Sequence, residues 1–327
     1  MLGVPTALIT GVSGQDGSYL AEILLENGYR IVGIVRGPKS APYPRIEHLR
    51  NRIELDTCDL LDPKALEELL RYYHPTEVYN LCARANSAQP FSEQVRQGQF
   101  DSVAVLRMLE AIRVVNPTIR FCQASTSELF GKSSGSPQSE ATAFYPRNPY
   151  GVAKLYGHWI TVNYRETQGM FACSSILFNH ESPRRGEQFV TRKISLAVAR
   201  IKAGQQDSVH LGDLDARRDW GYALDYARGM WLMLQAPAAD DYVLSTGATH
   251  SVREFCRIAF GHVGLCYEDH VVQEMREQRP VDTVLLVGNS QKARRVLQWR
   301  PTLTFDDLVR AMVDSDLDRL AREGYRG

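Results

Sequence analysis

Short, continuously apolar segments alternate with longer amphipathic segments along the first 180 residues of this 327-residue chain. The apolar segments lack polar alternation, which is typical of strands that are buried on both faces of a parallel sheet. The amphipathic segments carry apolar residues at helical spacing, as Leu20, Ile23 and Leu24 do before Gly28. The predicted strands are 7–10, 31–35, 52–55, 77–81, 119–124 and 172–178, and the predicted helices among them are 18–27, 63–73 and 103–114. This alternation predicts an α/β fold built on a doubly wound parallel sheet.

The second half of the chain is less regular. Predicted helices at 190–203 and 252–262 are separated by segments that contain Gly, Pro, Asp and Arg. We therefore expect a Rossmann-type domain over residues 1–180 and a smaller, mainly helical C-terminal substrate domain over residues 181–327. The boundary is soft, and part of residues 215–248 is expected to return to the first domain. Because ligands bind at the carboxyl ends of strands in open α/β sheets, the second region is expected to pack there.

Composition restricts the classes of partner. Lysine plus arginine and aspartate plus glutamate each number 38, so the formal net charge is zero and gives no support for nucleic acid or an anionic membrane as partner. No apolar stretch reaches membrane-spanning length. The six cysteines form no Cys-x-x-Cys pair and several lie in apolar runs, so we expect reduced thiols in a cytoplasmic protein, without a metal site. The segment 1–10 is interpreted as a first strand, not a signal peptide.

A glycine-rich turn joins the first predicted strand to the first predicted helix. Gly11, Gly14 and Gly17 occupy this turn with Gly-x-x-Gly-x-x-Gly spacing, which differs from the usual dinucleotide fingerprint. Glycines let the backbone approach a pyrophosphate, and the helix N-terminus offers free N–H groups. The turn therefore indicates a dinucleotide site, with a plain tight connection as the competing interpretation.

Arg36 ends the second predicted strand, where an acidic residue would accept a hydrogen bond from the ribose of NAD. An arginine there can hold the 2′-phosphate of NADP, so NADP is favoured over NAD. A solvated surface arginine is the alternative. Asp59 and Leu60 follow the third strand, and the sequence alone leaves open whether they contact adenine or only end a strand.

Tyr150 and Lys154 lie four residues apart and share one face of a predicted helix. A phenol titrates near pH ~10, and a nearby ammonium together with a nicotinamide charge can lower that pKa. The pair is therefore a candidate proton-transfer site beside a hydride-transfer cofactor. A surface Tyr/Lys pair, common on any helix, is the alternative.

Ser125, Thr126, Ser127 and Glu128 directly follow an apolar strand, which predicts that they lie at the carboxyl edge of the sheet. A hydroxyl here can bond a substrate hydroxyl, and a carboxylate can remove a carbon-bound proton made acidic by a neighbouring ketone. Oxidation alone needs one base, whereas oxidation followed by elimination needs two. The competing interpretation is a helix capping box formed by Ser125 and Glu128.

Several basic residues fall in the loops and helices of the second half, where arginines suit bidentate binding of a diphosphate. Scattered surface charge is the alternative for any one of them. The set comprises Arg184, Arg185, Lys193, Arg217, Arg218 and Arg279.

Together these residues resemble the extended short-chain dehydrogenase/reductase superfamily and, within it, the GDP-mannose 4,6-dehydratase family. The resemblance covers nearly the whole chain. Its most specific stretches are 8–11, 14–17, 124–128, 144–147, 178–185, 189–193, 217–221 and 230–234.

The resemblance implies an internal redox dehydration of GDP-mannose to GDP-4-keto-6-deoxymannose on one bound NADP. Tyr150, assisted by Thr126 and Lys154, would take the proton of the carbon-4 hydroxyl as NADP accepts the hydride. Glu128 would then remove the carbon-5 hydrogen, and the carbon-6 hydroxyl would leave as water before the hydride returns to carbon 6. In dTDP-glucose dehydratases an aspartate precedes this glutamate. Ser127 stands there in this chain, so Glu128 is expected to carry the leaving-group proton too.

The resemblance also assigns binding residues and an assembly state. The residues expected at NADP are Gly11, Gly14, Gln15, Asp16, Gly17, Arg36, Asp59, Leu60, Leu81, Ala83, Tyr150, Lys154, His180 and Arg185. Those expected at the GDP-sugar are Arg84, Asn179, Lys193, Arg218, Arg279 and Asp282. A homo-oligomer, a tetramer or a dimer, is expected from the family.

Some positions depart from the family pattern. The segment 82–86 reads Cys-Ala-Arg-Ala-Asn, which replaces a Gln-Ser pair expected at the cofactor and sugar with Arg-Ala. Gly37 replaces a second basic residue, Asp282 a glutamate, and Asn148 a serine. The altered sugar-facing loop leaves GDP-mannoheptose open as a substrate in place of GDP-mannose.

Two further classes of function stay open at this point. A sugar-nucleotide 4-reductase or 4-epimerase needs Tyr150 and Lys154 but no second base, so Glu128 argues against it. A non-catalytic NADP-binding protein could lose the Tyr/Lys pair freely, yet the pair is present.

Overall fold

The computed structural model describes residues 3–83, 89–133, 135–274 and 285–324. The strands, numbered in chain order, are β1 (Thr6–Thr10), β2 (Arg30–Val35), β3 (Glu54–Thr57), β4 (Glu77–Asn80), β5 (Arg120–Ala124), β6 (Ala172–Leu177), β7 (Asn179–Glu181), β8 (Val209–Leu211), β9 (Arg217–Arg218), β10 (Trp220–Tyr222), β11 (Tyr242–Leu244), β12 (His250–Ser251) and β13 (Val271–Gln273). The α-helices are α1 (Gln15–Glu26), α2 (Pro63–Tyr73), α3 (Phe91–Val115), α4 (Pro149–Gln168), α5 (Val190–Lys202), α6 (Ala223–Gln235), α7 (Val252–His262), α8 (Gln291–Val296) and α9 (Phe305–Gly324).

Seven strands form one parallel sheet in the order β11-β6-β5-β4-β1-β2-β3. Successive residues of β1 point to opposite faces. Leu8 packs in a cluster with Leu66 of α2 and Met108 of α3, whereas Ile9 packs with Leu20 of α1 and with α6. These side chains are fully buried, and each such burial stabilises the fold by about 1.5–3 kcal/mol. Helices thus cover both faces, which confirms the predicted doubly wound sheet.

The chain order along the sheet fixes where a ligand can bind. From β1 the chain moves through β2 to β3 on one side, and β4 then pairs with β1 on the other side. The loops that leave β1 and β4 therefore diverge and open a crevice at the carboxyl edge. The glycine turn follows β1, and Leu81–Ala83 follow β4, so both lie at this crevice.

Helices α3 and α4 approach closely because small residues face each other. A Cβ added at Gly157 would lie 3.3 Å from Cγ2 of Val105, and one added at Gly98 would lie 3.5 Å from Cβ of Ala153. Packing on α3 sets the position of α4. The first two turns of α4, which carry Tyr150 and Lys154, thereby lie at the crevice.

The second half has a hydrophobic cluster of its own, in which Val198 of α5, Phe255 of α7 and Met312 of α9 are fully buried. Buried Asp219 joins the loops of this region, because it accepts hydrogen bonds from the backbone N–H groups of Thr246 (2.9 Å), Gly247 (3.0 Å) and Gly288 (3.2 Å). In contrast, α6 packs on α1, and β11 pairs with β6 in the large sheet. The division of the chain near residue 180 stays a prediction.

Candidate active site

A cleft runs along the carboxyl edge of the sheet in two adjoining parts, of about 750 Å³ and about 440 Å³. The two parts share the lining residues Gly14, Arg45, Leu81 and Ala83. The larger part extends towards β2 and β3, and the smaller one lies against α4 and β7. The cleft therefore spans the crevice between β1 and β4 that the strand order creates.

The glycine turn forms the floor of the cleft. Gly11 has a φ of +73°, and a Cβ on it would lie 3.2 Å from Cα of Cys82. A Cβ on Gly17 would lie 2.4 Å from the carbonyl oxygen of Gly11, so only glycine lets α1 start against the turn. Gly14 is the N-cap of α1 and provides no side-chain capping bond. No capping side chain therefore covers the backbone N–H groups at the start of α1. Such groups can bind a pyrophosphate, as found in a dinucleotide.

The larger part of the cleft contains the residues predicted for the adenosine end. Arg36, Asp59 and Leu60 all line it. The carboxylate of Asp59 accepts the N–H of Leu61 (3.0 Å), which fixes the turn after β3. Lys39 is held by the Asp56 carboxylate at 2.5 Å, which leaves Arg36 as a lining cation at the end of β2.

Tyr150 and Lys154 lie in the smaller part, on the face of α4 that points to the cleft. Lys154 is buried, and its Nζ donates to the carbonyl oxygen of Ala124 at the end of β5 (3.0 Å). The same Nζ lies 5.9 Å from the centroid of the Tyr150 ring. The side chain of Thr126 lies beside the Tyr150 hydroxyl. The sequence pair is therefore one structural unit with the end of β5.

Burial raises the pKa of the Tyr150 phenol above its ordinary value, and the carboxylates of Asp101 and Glu128 raise that pKa further. The neighbouring Thr126 side chain lowers that pKa only in part. Burial also lowers the pKa of Lys154, against the opposing charge of Asp101. Lys154 thus does not lower the pKa of the phenol below its ordinary value here. Proton acceptance by Tyr150 needs added positive charge beside the ring, such as an oxidised nicotinamide brings.

Glu128 belongs to a short 3₁₀-helix, Ser127–Leu129, directly after β5. Its backbone N–H donates to the Thr126 hydroxyl (3.3 Å), so Thr126 caps this turn. The competing interpretation, a capping box formed by Ser125 and Glu128, is therefore not what the structure shows. The Glu128 side chain instead accepts a hydrogen bond from the Asn148 amide (2.9 Å). Thr126, Ser127 and Glu128 all line the smaller part of the cleft.

Asp16 and His180 form an ion pair across the cleft wall, with Nε2 of His180 3.0 Å from the Asp16 carboxylate. Nδ1 of the same ring lies 2.7 Å from the carbonyl oxygen of Phe178. Burial lowers the pKa of His180, but the Asp16 carboxylate outweighs it and the pKa is raised. Burial also acts on Asp16 and raises its pKa, but the charge and hydrogen bond of His180 outweigh burial and lower the pKa of Asp16 to about 2. Both partners of the ring are hydrogen-bond acceptors, and the raised pKa of His180 favours its protonated form.

Arg185 is held at the same wall by a buried acid. Its Nε lies 3.0 Å from the carboxylate of Glu181, and its guanidinium lies 3.7 Å from the centroid of the Phe189 ring. Asn179, at the start of β7, also lines this part of the cleft. Arg184 also lines this part of the cleft, but its guanidinium is already engaged by the Ser18 hydroxyl (3.0 Å) and the Glu22 carboxylate (2.5 Å) on α1.

Some predicted site residues lie elsewhere. Gly17 has the packing role described above. Lys193 donates to the carbonyl oxygen of His210 (2.5 Å), and Arg218 donates to that of Arg217 (2.8 Å). Within the described ranges, these three are not in the cleft lining. Arg84, Arg279 and Asp282 fall outside the described residues, so their assignment to the substrate stays a prediction.

The structure adds two side chains that the sequence did not single out. Arg45 lines both parts of the cleft, and its Nε donates to the carbonyl oxygen of Arg184 (2.6 Å). Asn148 contacts Glu128 from the start of α4. Arg45 follows an irregular segment, so no periodic pattern marks it. Asn148 was noted only as a departure from a family serine.

Solved structures share this fold. RMD from Pseudomonas aeruginosa, complexed with NADPH, matches with a TM-score of 0.81 at 22% identity, covering 97% of this chain and 100% of that one. UDP-glucose 4-epimerase from Thermotoga maritima, with UDP-glucose, matches with a TM-score of 0.84 at 22% identity, covering 96% of this chain and 99% of that one. At these identities the likeness establishes the fold alone.

The sequence relatives are more specific. GDP-mannose 4,6 dehydratase 2 of Caenorhabditis elegans is 47% identical over 95% of this chain and 88% of its own. The human GDP-mannose 4,6 dehydratase is 46% identical over 95% and 91%, and that of Sinorhizobium fredii is 46% identical over 96% and 97%. The family model described as GDP-mannose 4,6 dehydratase matches residues 8–312. With the Tyr150, Lys154 and Glu128 constellation in the cleft, these matches show that the chain belongs to the GDP-mannose 4,6-dehydratase family.

Proposed function

We propose that the chain is an NADP-dependent hydro-lyase that converts GDP-mannose to GDP-4-keto-6-deoxymannose. One observation carries the proposal: Tyr150, Lys154 and Glu128 line a single cleft beside a glycine turn that fits a dinucleotide. Relatives with this name are 46–47% identical over nearly their whole length, which supports the same substrate.

Tyr150 is the group proposed to take the proton from the carbon-4 hydroxyl of the sugar. Thr126 lies beside the phenol, and the buried Lys154, whose Nζ donates to the carbonyl oxygen of Ala124, contributes positive charge. NADP would supply the hydride acceptor in this step and return the hydride at the end. The residues proposed to hold NADP are Gly11, Gly14, Gln15, Asp16, Arg36, Asp59, Leu60, Leu81, Ala83, His180 and Arg185.

Glu128 is proposed to perform the elimination. Once carbon 4 is a ketone, the hydrogen on carbon 5 is acidic, and the Glu128 carboxylate can take it as a proton. The carbon-5 electron pair forms the double bond to carbon 6 as the carbon-6 hydroxyl leaves, and protonated Glu128 gives its proton to that hydroxyl, so water departs. Hydride addition at carbon 6 and a proton at carbon 5 complete the deoxysugar.

The choice of NADP rests on Arg36. It is the lining cation at the end of β2, whereas Lys39 is engaged by Asp56. A guanidinium can hold a 2′-phosphate bidentately. The structural neighbours include one with NADPH and one, a dTDP-glucose 4,6-dehydratase, with NAD, so a nicotinamide cofactor is common to the fold.

The fold also serves 4-epimerases, which need one base only. The position of the Glu128 carboxylate in the cleft, held by Asn148, favours the dehydratase over an epimerase or reductase. The GDP moiety is proposed to lie beyond Asn179, with Lys193, Arg218 and the predicted residues Arg84, Arg279 and Asp282 as its partners.

We further propose a homo-oligomer in the cytoplasm. An exposed apolar row on α4, formed by Val152, Tyr156 and Trp159, supports self-association. All six cysteines are free thiols, as expected in a reducing compartment. Over the described part of the chain, no helix has the length and apolar character to cross a membrane, and no group of three or more His, Cys, Asp or Glu side chains could hold a metal ion. Fractionation of cells with an antibody to the chain checks the compartment.

The test of the reaction is mass spectrometry of GDP-mannose after incubation with the purified protein and NADP. Loss of one water from the sugar nucleotide is the expected result, and incubation in deuterated water should add deuterium at carbon 5. Unchanged GDP-mannose, or conversion to an isomer of the same mass, would contradict the proposal.

Glu128→Gln separates the two steps. The amide keeps the shape and hydrogen-bonding capacity of the side chain but cannot take a proton. We expect retained binding of NADP and GDP-mannose, and a loss of carbon-5 deuterium exchange of at least about 100-fold, the range of general base catalysis. Wild-type exchange in this variant would remove Glu128 from the role assigned to it.

A further inference from the structure

Asn148 connects the start of α4 to Glu128. Its Oδ1 accepts the backbone N–H of Gly151 (2.7 Å), which makes Asn148 the N-cap of the helix. Its Nδ2 donates to Oε2 of Glu128 (2.9 Å). The two bonds use opposite ends of one amide. Because the cap requires an acceptor, the amide nitrogen must face the carboxylate, and the orientation is fixed.

We propose that Asn148 is a positioning residue, which holds the Glu128 carboxylate at the angle and distance needed to reach the carbon-5 hydrogen. This inference rests on the proposed role of Glu128 as the base. Glu128 sits on a single 3₁₀ turn, whose side chains are less restrained than those of a long helix. The hydrogen bond from Asn148 connects the Glu128 side chain to the start of the twenty-residue helix α4 and so restrains its position.

The same contact sets the spacing between the two proton-transfer groups. Tyr150 follows Asn148 by two residues on α4, and α4 packs directly on the turn that carries Glu128. A Cβ added at Gly151 would lie 3.0 Å from the carbonyl oxygen of Glu128, so the two backbones are in close contact there. Asn148 therefore holds the two proposed bases, Tyr150 for the carbon-4 hydroxyl and Glu128 for carbon 5, in one rigid unit.

The decisive variant is Asn148→Asp. Aspartate keeps the cap oxygen for Gly151, but replaces the N–H donor with a carboxylate oxygen that repels Glu128. We expect α4 to stay intact, by circular dichroism and thermal unfolding, and the KM for GDP-mannose to stay within a few-fold of wild type. Carbon-5 deuterium exchange should fall about 10- to 100-fold, the loss expected for a hydrogen bond to a charged group. Reduced nicotinamide should then accumulate in its absorbance band, since the first step proceeds without the second.

Thr304 offers a matched control at α9. Its hydroxyl accepts the N–H of Asp307 (3.2 Å) and donates to the Asp307 carboxylate (2.6 Å). Thr304→Asp makes the same exchange of a donor for a carboxylate at a helix cap, at an exposed position away from the cleft. We expect it to leave deuterium exchange unchanged.

Wild-type exchange in Asn148→Asp, with Glu128→Gln inactive, would overturn the role of Asn148 and leave that of Glu128. Wild-type exchange in Glu128→Gln would instead overturn the proposed function. If Asn148→Asp does not fold, Asn148→Ser and Asn148→Ala form a second pair, because serine can both cap and donate whereas alanine can do neither. Exchange about tenfold faster in the serine variant, at equal KM, is expected. Equal exchange in the two would overturn the proposal.

Discussion

Tyr150 and Glu128 share one cleft but are prepared for proton transfer by different surroundings. Burial and the carboxylates of Asp101 and Glu128 raise the pKa of the Tyr150 phenol, so the phenol stays protonated unless a positive charge lies beside it. Glu128 faces the neutral amide of Asn148, which orients its carboxylate without adding charge. In the proposed mechanism, deprotonation of the carbon-4 hydroxyl would therefore depend on bound oxidised cofactor, and deprotonation of carbon 5 on the geometry of α4.

At the scale of a single side chain, we propose that Arg36 determines the choice between NADP and NAD. Arg36→Asp removes the guanidinium proposed to hold the 2′-phosphate and supplies a carboxylate that can accept the ribose hydroxyl of NAD. We expect NADP affinity to fall about 10- to 100-fold with NAD affinity unchanged or higher, as measured by titration calorimetry with each cofactor. Lys39→Gln removes a cation that is already paired with Asp56, so it should change the ratio of NADP affinity to NAD affinity little. Equal losses for both cofactors would argue against a role for Arg36 in discrimination.

At the scale of elements, α1 depends on one glycine. A Cβ on Gly17 would overlap the carbonyl of Gly11, 2.4 Å away, and Cα of Val12, 2.7 Å away. Gly17→Ala should therefore lower the free energy of unfolding by about 1–3 kcal/mol, in urea denaturation, because backbone atoms must move. Gly261→Ala is the matched control, because Gly261 also lies in a helix and nothing lies within 4 Å of an added Cβ. Alanine there should raise the free energy of unfolding by about 0.5–1 kcal/mol. Equal effects at the two sites would contradict the steric argument.

The elements with a strong period were predicted well from the sequence. The expected bounds of α2 and α7, 63–73 and 252–262, are the observed ones, because capping residues and a clear apolar stripe mark both helices. The strand expected at 52–55 lies at Glu54–Thr57, since this edge strand carries polar residues and has no apolar run. Helix α3 starts at Phe91, twelve residues before the expected start, in a polar stretch whose Gly98 is used for packing on α4.

The site was predicted where its chemistry is local in sequence. The residues 125–128, Tyr150 and Lys154 follow strands or share a helix face, and they meet in the cleft as expected. What was missed depends on tertiary contact: the ion pair of Asp16 with His180 spans 164 positions, and the bond from Asn148 to Glu128 spans 20. No period or spacing in the chain encodes such pairs.

At the scale of the whole molecule, the two walls of the cleft are joined. Ser182 donates to the side chain of Gln15 (2.8 Å), Gln15 donates to the carbonyl oxygen of His180 (3.1 Å), and His180 pairs with Asp16. The start of α1 and the segment after β6 are therefore one unit. A dinucleotide bound on α1 is thus coupled by direct hydrogen bonds to the wall that carries Asn179 and Arg185.

The proposed self-association rests on the outer face of α4. Val152, Tyr156 and Trp159 form an apolar row at helical spacing, with exposed fractions of 56%, 43% and 55%. A second copy of the chain would cover this row, so we expect sedimentation velocity to give a mass of two or four chains. Trp159→Glu puts a charge into that contact and should weaken association by about 2 kcal/mol or more. Tyr72→Glu is the control, at an exposed aromatic residue of α2 (75% exposed), and should leave the mass unchanged. If the unmodified protein has the mass of a single chain at all concentrations, a second copy does not cover the row.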